Sequence, residues 1–171
     1  MKTDIGIDTG DMILQKTFEI DKDQTCGELF DKLSDLGAEA VLEALSLIVD
    51  GKAVFTKQNH DIATTTKMIK KEDARIDWSK TSFEIVNQIR AFNPAPIAFS
   101  TLNGENFKIY SAKAVAANGK AGEILDSTDK LIVGTGDGAI SLLKVQKAGS
   151  NAMEIKDFLR GNKLSIGEFL V

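Results

Sequence analysis

Apolar residues at Leu29, Leu33, Leu36, Ala40, Ala44 and Ile48 recur at helical spacing, which predicts an amphipathic helix over 26–49. Ahead of it, Thr25-Cys26-Gly27-Glu28 has the form of a capping box, in which threonine and glutamate satisfy each other's backbone amides. Gly37 interrupts the pattern at a cost of about 1 kcal/mol relative to alanine, and is expected to mark a bend or the close approach of another backbone. Upstream, Ile13–Ile20 alternates partially and reads as a short strand. One strand and one long helix each keep an apolar face that needs a further layer. Residues 1–69 are therefore expected to be the tail of a larger α/β domain.

The pattern changes after a polar stretch, Thr64 to Asp73, which has no apolar periodicity and reads as a linker. Thr81-Ser82-Phe83-Glu84 is a second capping box, opening a helix with Phe83, Val86, Ile89 and Arg90 along one side. Asn93-Pro94-Ala95-Pro96 stops it, because proline lacks an amide donor and holds its predecessor extended. Strand-like runs follow at Ile97–Leu102, Phe107–Val115, Glu123–Leu125, Leu131–Gly134 and Ile140–Val145. Asn103-Gly104 and Asp137-Gly138 supply turn residues suited to positive φ. Such a succession predicts a small antiparallel barrel or sandwich. A last helix, Ile155 to Arg160, is expected to be capped by Gly161.

Charge sharpens this division. Residues 1–69 hold 7 Lys/Arg against 13 Asp/Glu, whereas residues 70–171 hold 14 against 12, within a chain of 171 residues and formal net charge −4. The asymmetry points to two units facing different partners. No run approaches the ~18 apolar residues of a membrane span, and the acidic start lacks the apolar stretch of a signal peptide. A soluble, cytoplasmic protein is expected. One cysteine, Cys26, and one histidine, His60, exclude an internal disulfide and a Cys/His zinc site, so no metal is expected.

Several motifs have a plainer reading beside the chemical one. Gly134-Thr135-Gly136-Asp137-Gly138 resembles a phosphate-cradling loop, but such loops lead into a helix, and Ala139–Leu143 reads as a strand. A hairpin turn is expected. Asp8-Thr9-Gly10 matches the aspartic-protease tripeptide, yet the long helix at 26–49 suits those folds poorly. Cys26 sits in the first turn of a helix, where the dipole lowers a thiol pKa, although a structural role is the simpler reading. His60 lies in a polar stretch and reads as a solvated loop histidine. Trp78 either packs at a domain edge or stacks on a base.

The blocks Met1-Lys2-Thr3-Asp4-Ile5-Gly6-Ile7-Asp8-Thr9-Gly10-Asp11-Met12, Arg75-Ile76-Asp77-Trp78, Ile89-Arg90-Ala91-Phe92-Asn93-Pro94, Thr101-Leu102-Asn103-Gly104 and Asp157-Phe158-Leu159-Arg160-Gly161 occur in one order. The first resembles the end of the catalytic signature of folate-dependent formyltransferases, and the others resemble successive blocks of the methionyl-tRNA formyltransferase family. The resemblance implies an α+β chain: a fragment of a Rossmann-like α/β catalytic domain at 1–63, a linker at 64–78, and at 79–171 a small antiparallel β-barrel related to the oligonucleotide-binding fold. It implies formyl transfer from 10-formyltetrahydrofolate, as co-substrate of the full enzyme, to the amino group of initiator methionyl-tRNA.

On that resemblance Asp8 matches the family's catalytic aspartate, whose task is to orient and tune a histidine. The family's asparagine and histidine precede the signature and are absent from residues 1–171, so this chain alone is expected not to catalyse or to hold folate. The family's Asn-Pro-Trp-Pro-Gly-Ala is altered here, with Ala95 for tryptophan and Ile97 for glycine. Lys70, Lys71, Arg90, Lys144, Lys147, Arg160 and Lys163 are the candidate contacts to tRNA phosphates. The helix at 26–49 is expected to expose an apolar face that favours self-association. A sugar-nucleotide N-formyltransferase fragment and a stand-alone RNA-binding module are the alternative readings.

Overall fold

A computed structural model describes all 171 residues. The chain divides into two compact units, one of Met1–Gln24 with Glu28–Met68, the other of Ile69–Val171 with Thr25–Gly27. No helix is long and apolar enough to cross a membrane.

The first unit is built around α1 (Cys26–Val49), the helix its periodicity predicts. None of its residues is buried, and Phe30, Val41, Leu42, Leu45 and Val49 each keep more than half of their surface in water. Nothing lies within 4 Å of a Cβ built at Gly37, so no backbone approaches there. The strand expected at Ile13–Ile20 is not formed. A strand must exchange hydrogen bonds with a neighbour, and here only Met12 finds one, pairing with Thr56 through two bonds of 2.8 Å. Ile13 and Leu14 are half-buried and residues 15–20 exposed, all without regular structure, and the segment is tied to α1 by the Lys16–Glu43 ion pair at 2.9 Å.

The second unit is a curled antiparallel sheet with two helices. Its strands are β1 (Ala98–Leu102), β2 (Glu105–Val115), β3 (Ile124–Asp126), β4 (Leu131–Gly134), β5 (Ala139–Lys147) and the short β6 (Met153–Glu154). They run in the order β1-β2-β5-β4-β3, with β6 on the end of β5. The β1–β2 hairpin turns through Asn103-Gly104, both at positive φ as expected (51° and 81°). The C-terminal segment joins the two edges of the sheet. Thr101 and Val171 exchange backbone hydrogen bonds of 2.7 and 2.9 Å on the β1 side, while Leu170 N donates to Gly122 O and Ile124 N to Glu168 O, each at 2.8 Å, on the β3 side. Both exposed edges are thereby covered, which removes the usual site of edge-to-edge aggregation.

Helix α2 (Ser82–Ala91) opens on the predicted capping box: Glu84 N donates to Thr81 Oγ1 at 3.2 Å and Thr81 N to Glu84 Oε2 at 3.0 Å. Its buried face is Ile85 and Ile89, one turn apart, with Val86 packed alongside. Phe83, expected on that face, points into solvent at 72% exposure. The last helix, α3 (Ile155–Gly161), is not capped by Gly161, which continues it. The Asn162 side chain closes it, donating to Phe158 O at 2.9 Å. The core gathers α2, α3 and the inner sheet face around Phe107 and Phe158, whose ring centroids lie 5.3 Å apart.

Of the connector expected at 64–78, residues 64–70 are exposed and without regular structure. Residues 71–78 differ. Lys71–Ala74 form a 3-10 turn, and Ala74, Ile76 and Trp78 are buried, the last two in the main core cluster. Trp78 therefore packs rather than stacks: its Nε1 donates to Ser100 Oγ at 2.9 Å, and Ser100 Oγ donates onward to Val171 O at 3.0 Å.

Candidate functional site

Asp8 lies on a turn that folds back on itself. Lys2 N donates to Asp11 O at 2.9 Å, closing residues 2–11 into a loop, and the Lys2 ammonium sits 4.8 Å above the centre of the Phe55 ring. Asp8 is in the left-handed region at φ 54°, a conformation that aspartate tolerates better than most residues. Gly10 is obligatory, because a Cβ there would collide with the Lys2 carbonyl. Across from the turn, the Gln58 side-chain amide donates to Asp8 O at 2.8 Å and Gly10 O at 2.7 Å, with the Met1 sulfur 3.7 Å away.

This turn forms one wall of a cleft of about 710 Å³ whose lining includes Asp8, Thr9, Gln58, Asn59 and His60. His60 is exposed, as the sequence implies, but it opens a 3-10 turn (His60–Ile62) in which Asn59 Oδ1 accepts from Asp61 N at 3.0 Å. A carboxylate, an imidazole and two amide side chains thus share one cleft, 50 residues apart in the chain. Nothing in the sequence signals Gln58, because its partners are backbone carbonyls.

The glycine-rich segment at 134–138 is the hairpin loop between β4 and β5, as expected, but its glycines serve a different purpose. Neither Gly136 nor Gly138 has positive φ. Gly136 has no side chain because a Cβ would collide with the Ser79 carbonyl oxygen. Asp137 Oδ1 accepts from Ser82 N at 2.7 Å and Ser82 Oγ at 3.0 Å, with Thr135 Oγ1 at 3.2 Å. The Ser82 amide, followed by the hydroxyls, holds the Asp137 carboxyl below its ordinary range. The N-terminus of α2, the place where a phosphate would bind, is already occupied by the chain's own carboxylate.

The seven candidate cations fall into separate groups. Lys70 and Lys71 enter the 3-10 turn that α2 pins through Gln88 Nε2, which donates to Asp73 O and Arg75 O at 2.9 and 3.1 Å. Arg90 is on α2, half-buried, its Nε donating to Asn87 Oδ1 at 2.9 Å. Lys144 and Lys147 are on β5 and Arg160 on α3. Lys147 pairs with Glu105 at 3.4 Å and Arg160 with Asp157 at 2.7 Å, two exposed ion pairs. Lys147 and Lys163 share a polar cleft of about 350 Å³ with Asn103, Glu105 and Asn162. Asn103 and Asp157 stand in the sequence as turn and block residues, whereas nothing in the sequence marks Glu105 or Asn162.

Residues 68–163 match the family described as formyl transferase, C-terminal domain. The chain belongs to that family. The formyl transferase C-terminal domain therefore corresponds to the curled sheet and its helices. The likeness extends through the first unit as well. The chain is 44% identical over 172 residues, 99% of its length, to a methionyl-tRNA formyltransferase of Agathobacter rectalis, and 42% identical over 95% of its length to that of Lactococcus lactis subsp. lactis. It spans 56% and 53% of those two relatives, about half the length of each. Among solved structures it resembles WlaRD, a sugar 3N-formyl transferase, at 26% identity and TM-score 0.64 over 87% of this chain and 53% of that one. HypX from Aquifex aeolicus, determined with tetrahydrofolic acid, shares the fold at 22% identity and TM-score 0.66, over 97% of this chain and 32% of that one.

Proposed function

We propose that this chain is the C-terminal part of a methionyl-tRNA formyltransferase, an enzyme that moves a formyl group from 10-formyltetrahydrofolate to the amino group of initiator methionyl-tRNA. The observation that carries the reading is the 44% identity to a relative of that name across 99% of the chain, both units included. Residues 1–63 are then the rear of a Rossmann-like catalytic domain, 64–70 the connector, and 71–171, whose first residues pack into the core of the second unit, a tRNA-binding barrel related to the oligonucleotide-binding fold. The protein works in the cytoplasm on a soluble RNA.

Asp8 is the acidic group of the transfer site. When the amine attacks the formyl carbon, negative charge grows on the formyl oxygen, and hydrogen-bond donors aimed at that oxygen lower the barrier. A carboxylate beside an imidazole holds it in the required orientation and favours its charged form. Lys70, Lys71, Arg90, Lys144, Lys147, Arg160 and Lys163 contribute phosphate contacts, which set affinity without reading bases. The exposed apolar face of α1 favours self-association of the isolated chain.

The test is a single polypeptide joining the preceding portion of the Agathobacter rectalis relative to residues 1–171. It is expected to formylate initiator methionyl-tRNA, and Asp8→Ala is expected to lower kcat by about 10³-fold or more, the scale on which loss of a histidine-orienting acid acts. Formylation of an amino-sugar nucleotide in preference to methionyl-tRNA overturns the reading.

A further inference from the structure

We propose that Gln58 is a positioning residue, whose side-chain amide clamps the turn from Asp8 to Gly10 and so sets the direction of the Asp8 carboxylate. The inference rests on the reading of Asp8 as the acidic group of a formyl-transfer site.

The register explains how the clamp arises. Met12 and Thr56 pair antiparallel through two backbone hydrogen bonds. Continuing that pairing by two residues on each strand would bring Gly10 opposite Gln58. The backbone ladder does not continue. Instead, the Gln58 side chain supplies the donors that a paired strand would have supplied, one N–H to Gly10 O at 2.7 Å and one to Asp8 O at 2.8 Å. These carbonyls belong to the Asp8–Thr9 and Gly10–Asp11 peptides, so holding both fixes the two peptide planes that bracket Thr9 and Gly10.

Asp8 needs such support. Its φ of 54° lies in a sparsely populated region, and a residue stays there only when its surroundings over-determine it. Gly10 is held from the other side by the approach of the Lys2 backbone. The residue type at 58 follows from the task. A neutral amide has two N–H donors and can serve two carbonyls at once, whereas an ionised glutamate has none. Lysine would bring a charge into the cleft that Asp8 also lines, and leucine would leave both carbonyls without this partner.

Two measurements test the clamp. In the 171-residue chain, backbone order parameters from NMR relaxation are expected to be about 0.85 at Thr9 and Gly10, and to fall below about 0.6 in Gln58→Leu while Met12 and Thr56 stay ordered. Far-UV circular dichroism of α1 checks that the variant is folded, and Gln58→Glu serves as the second variant. In the joined polypeptide described above, both variants are expected to lower kcat by about 10²-fold, the effect of displacing a reacting group by about 1 Å, with KM for methionyl-tRNA changed less than about twofold. Gln58→Glu should regain part of kcat at low pH, where the protonated acid recovers one donor. An Asp8 turn that stays ordered in both variants overturns the inference, and so does an unchanged kcat in a variant whose turn has loosened. Full activity of Asp8→Ala is a different failure, which removes the functional reading of Asp8 while the order parameters still decide whether Gln58 holds the turn.

Discussion

Ser100 provides the sharpest energetic test of the second unit. Its side chain is fully buried, accepts from the Trp78 indole at 2.9 Å and donates to Val171 O at 3.0 Å. Ser100→Ala leaves the indole N–H, on a residue only 5% exposed, without an acceptor. A buried donor left unpaired costs about 1–3 kcal/mol. The Val171 carbonyl is less affected, because Thr101 N still donates to it at 2.7 Å, so the second lost bond adds about 0.5 kcal/mol. The expected total is about 1.5–3.5 kcal/mol, a fall in Tm of roughly 6–28 °C for a domain of this size. In Trp78→Phe there is no indole to strand, and adding Ser100→Ala should then cost only about 0.5–1 kcal/mol. The coupling between the two positions is therefore about 1–2.5 kcal/mol. Urea titrations followed by far-UV circular dichroism measure all four proteins, and fluorescence of the chain's one tryptophan reports the second unit in those that retain it. A coupling below about 0.3 kcal/mol would mean that the indole and hydroxyl act independently, and would refute the account.

Other outcomes follow from the same geometry. Asp77, Glu84, Asp126 and Asp137 are all held below their ordinary ranges, by Ser79, Thr81, Thr128 and Ser82 respectively as the largest causes. A carboxyl depressed in the folded state stabilises it above the unfolded pKa of about 4 and loses that contribution as pH falls. The Tm of the second unit should therefore be flat from neutral pH to about 5 and fall below about 4, with a smaller fall in Asp137→Asn; equal slopes would exclude Asp137 as a source. Gly136→Ala should cost about 1–3 kcal/mol by forcing the loop away from the Ser79 carbonyl, and an unchanged Tm would show that the approach is not close. Binding of tRNA should weaken steeply with salt, and the paired substitution Lys147→Ala with Lys163→Ala should flatten the log–log slope by about 1–2; an identical slope would exclude that cleft from the contact. Sedimentation should show concentration-dependent association that Leu42→Glu together with Leu45→Glu abolishes, and a monomer at high concentration would count against an adhesive α1 face.

Much of this protein was legible as local pattern. The α1 periodicity, the Thr81–Glu84 capping box and the Asn103-Gly104 turn each depend on residues within a few positions of one another, so sequence alone determined them. The five main strands were likewise foreseen, because each is a short apolar run bounded by turn residues. The strand at Ile13–Ile20 failed for the opposite reason: alternation describes a face, but hydrogen-bond partners make a strand, and only Met12 has one. Phe83 misled because helical spacing admits more than one apolar side, and the sheet selects the side carrying Ile85 and Ile89.

The site divides along the same line. Asp8 and the cations were readable as residue types, and the family resemblance rests on ordered blocks of sequence. What only the tertiary structure decided is which distant groups meet. Gln58 reaches the Asp8 turn, Asp137 occupies the α2 N-terminus, Ser100 joins Trp78 to Val171, and the last residues cover both sheet edges. In each case a side chain or a terminal segment satisfies backbone or indole groups far away in sequence. Such partnerships leave no periodicity behind, because what creates them is the need to pair polar groups once the chain has collapsed.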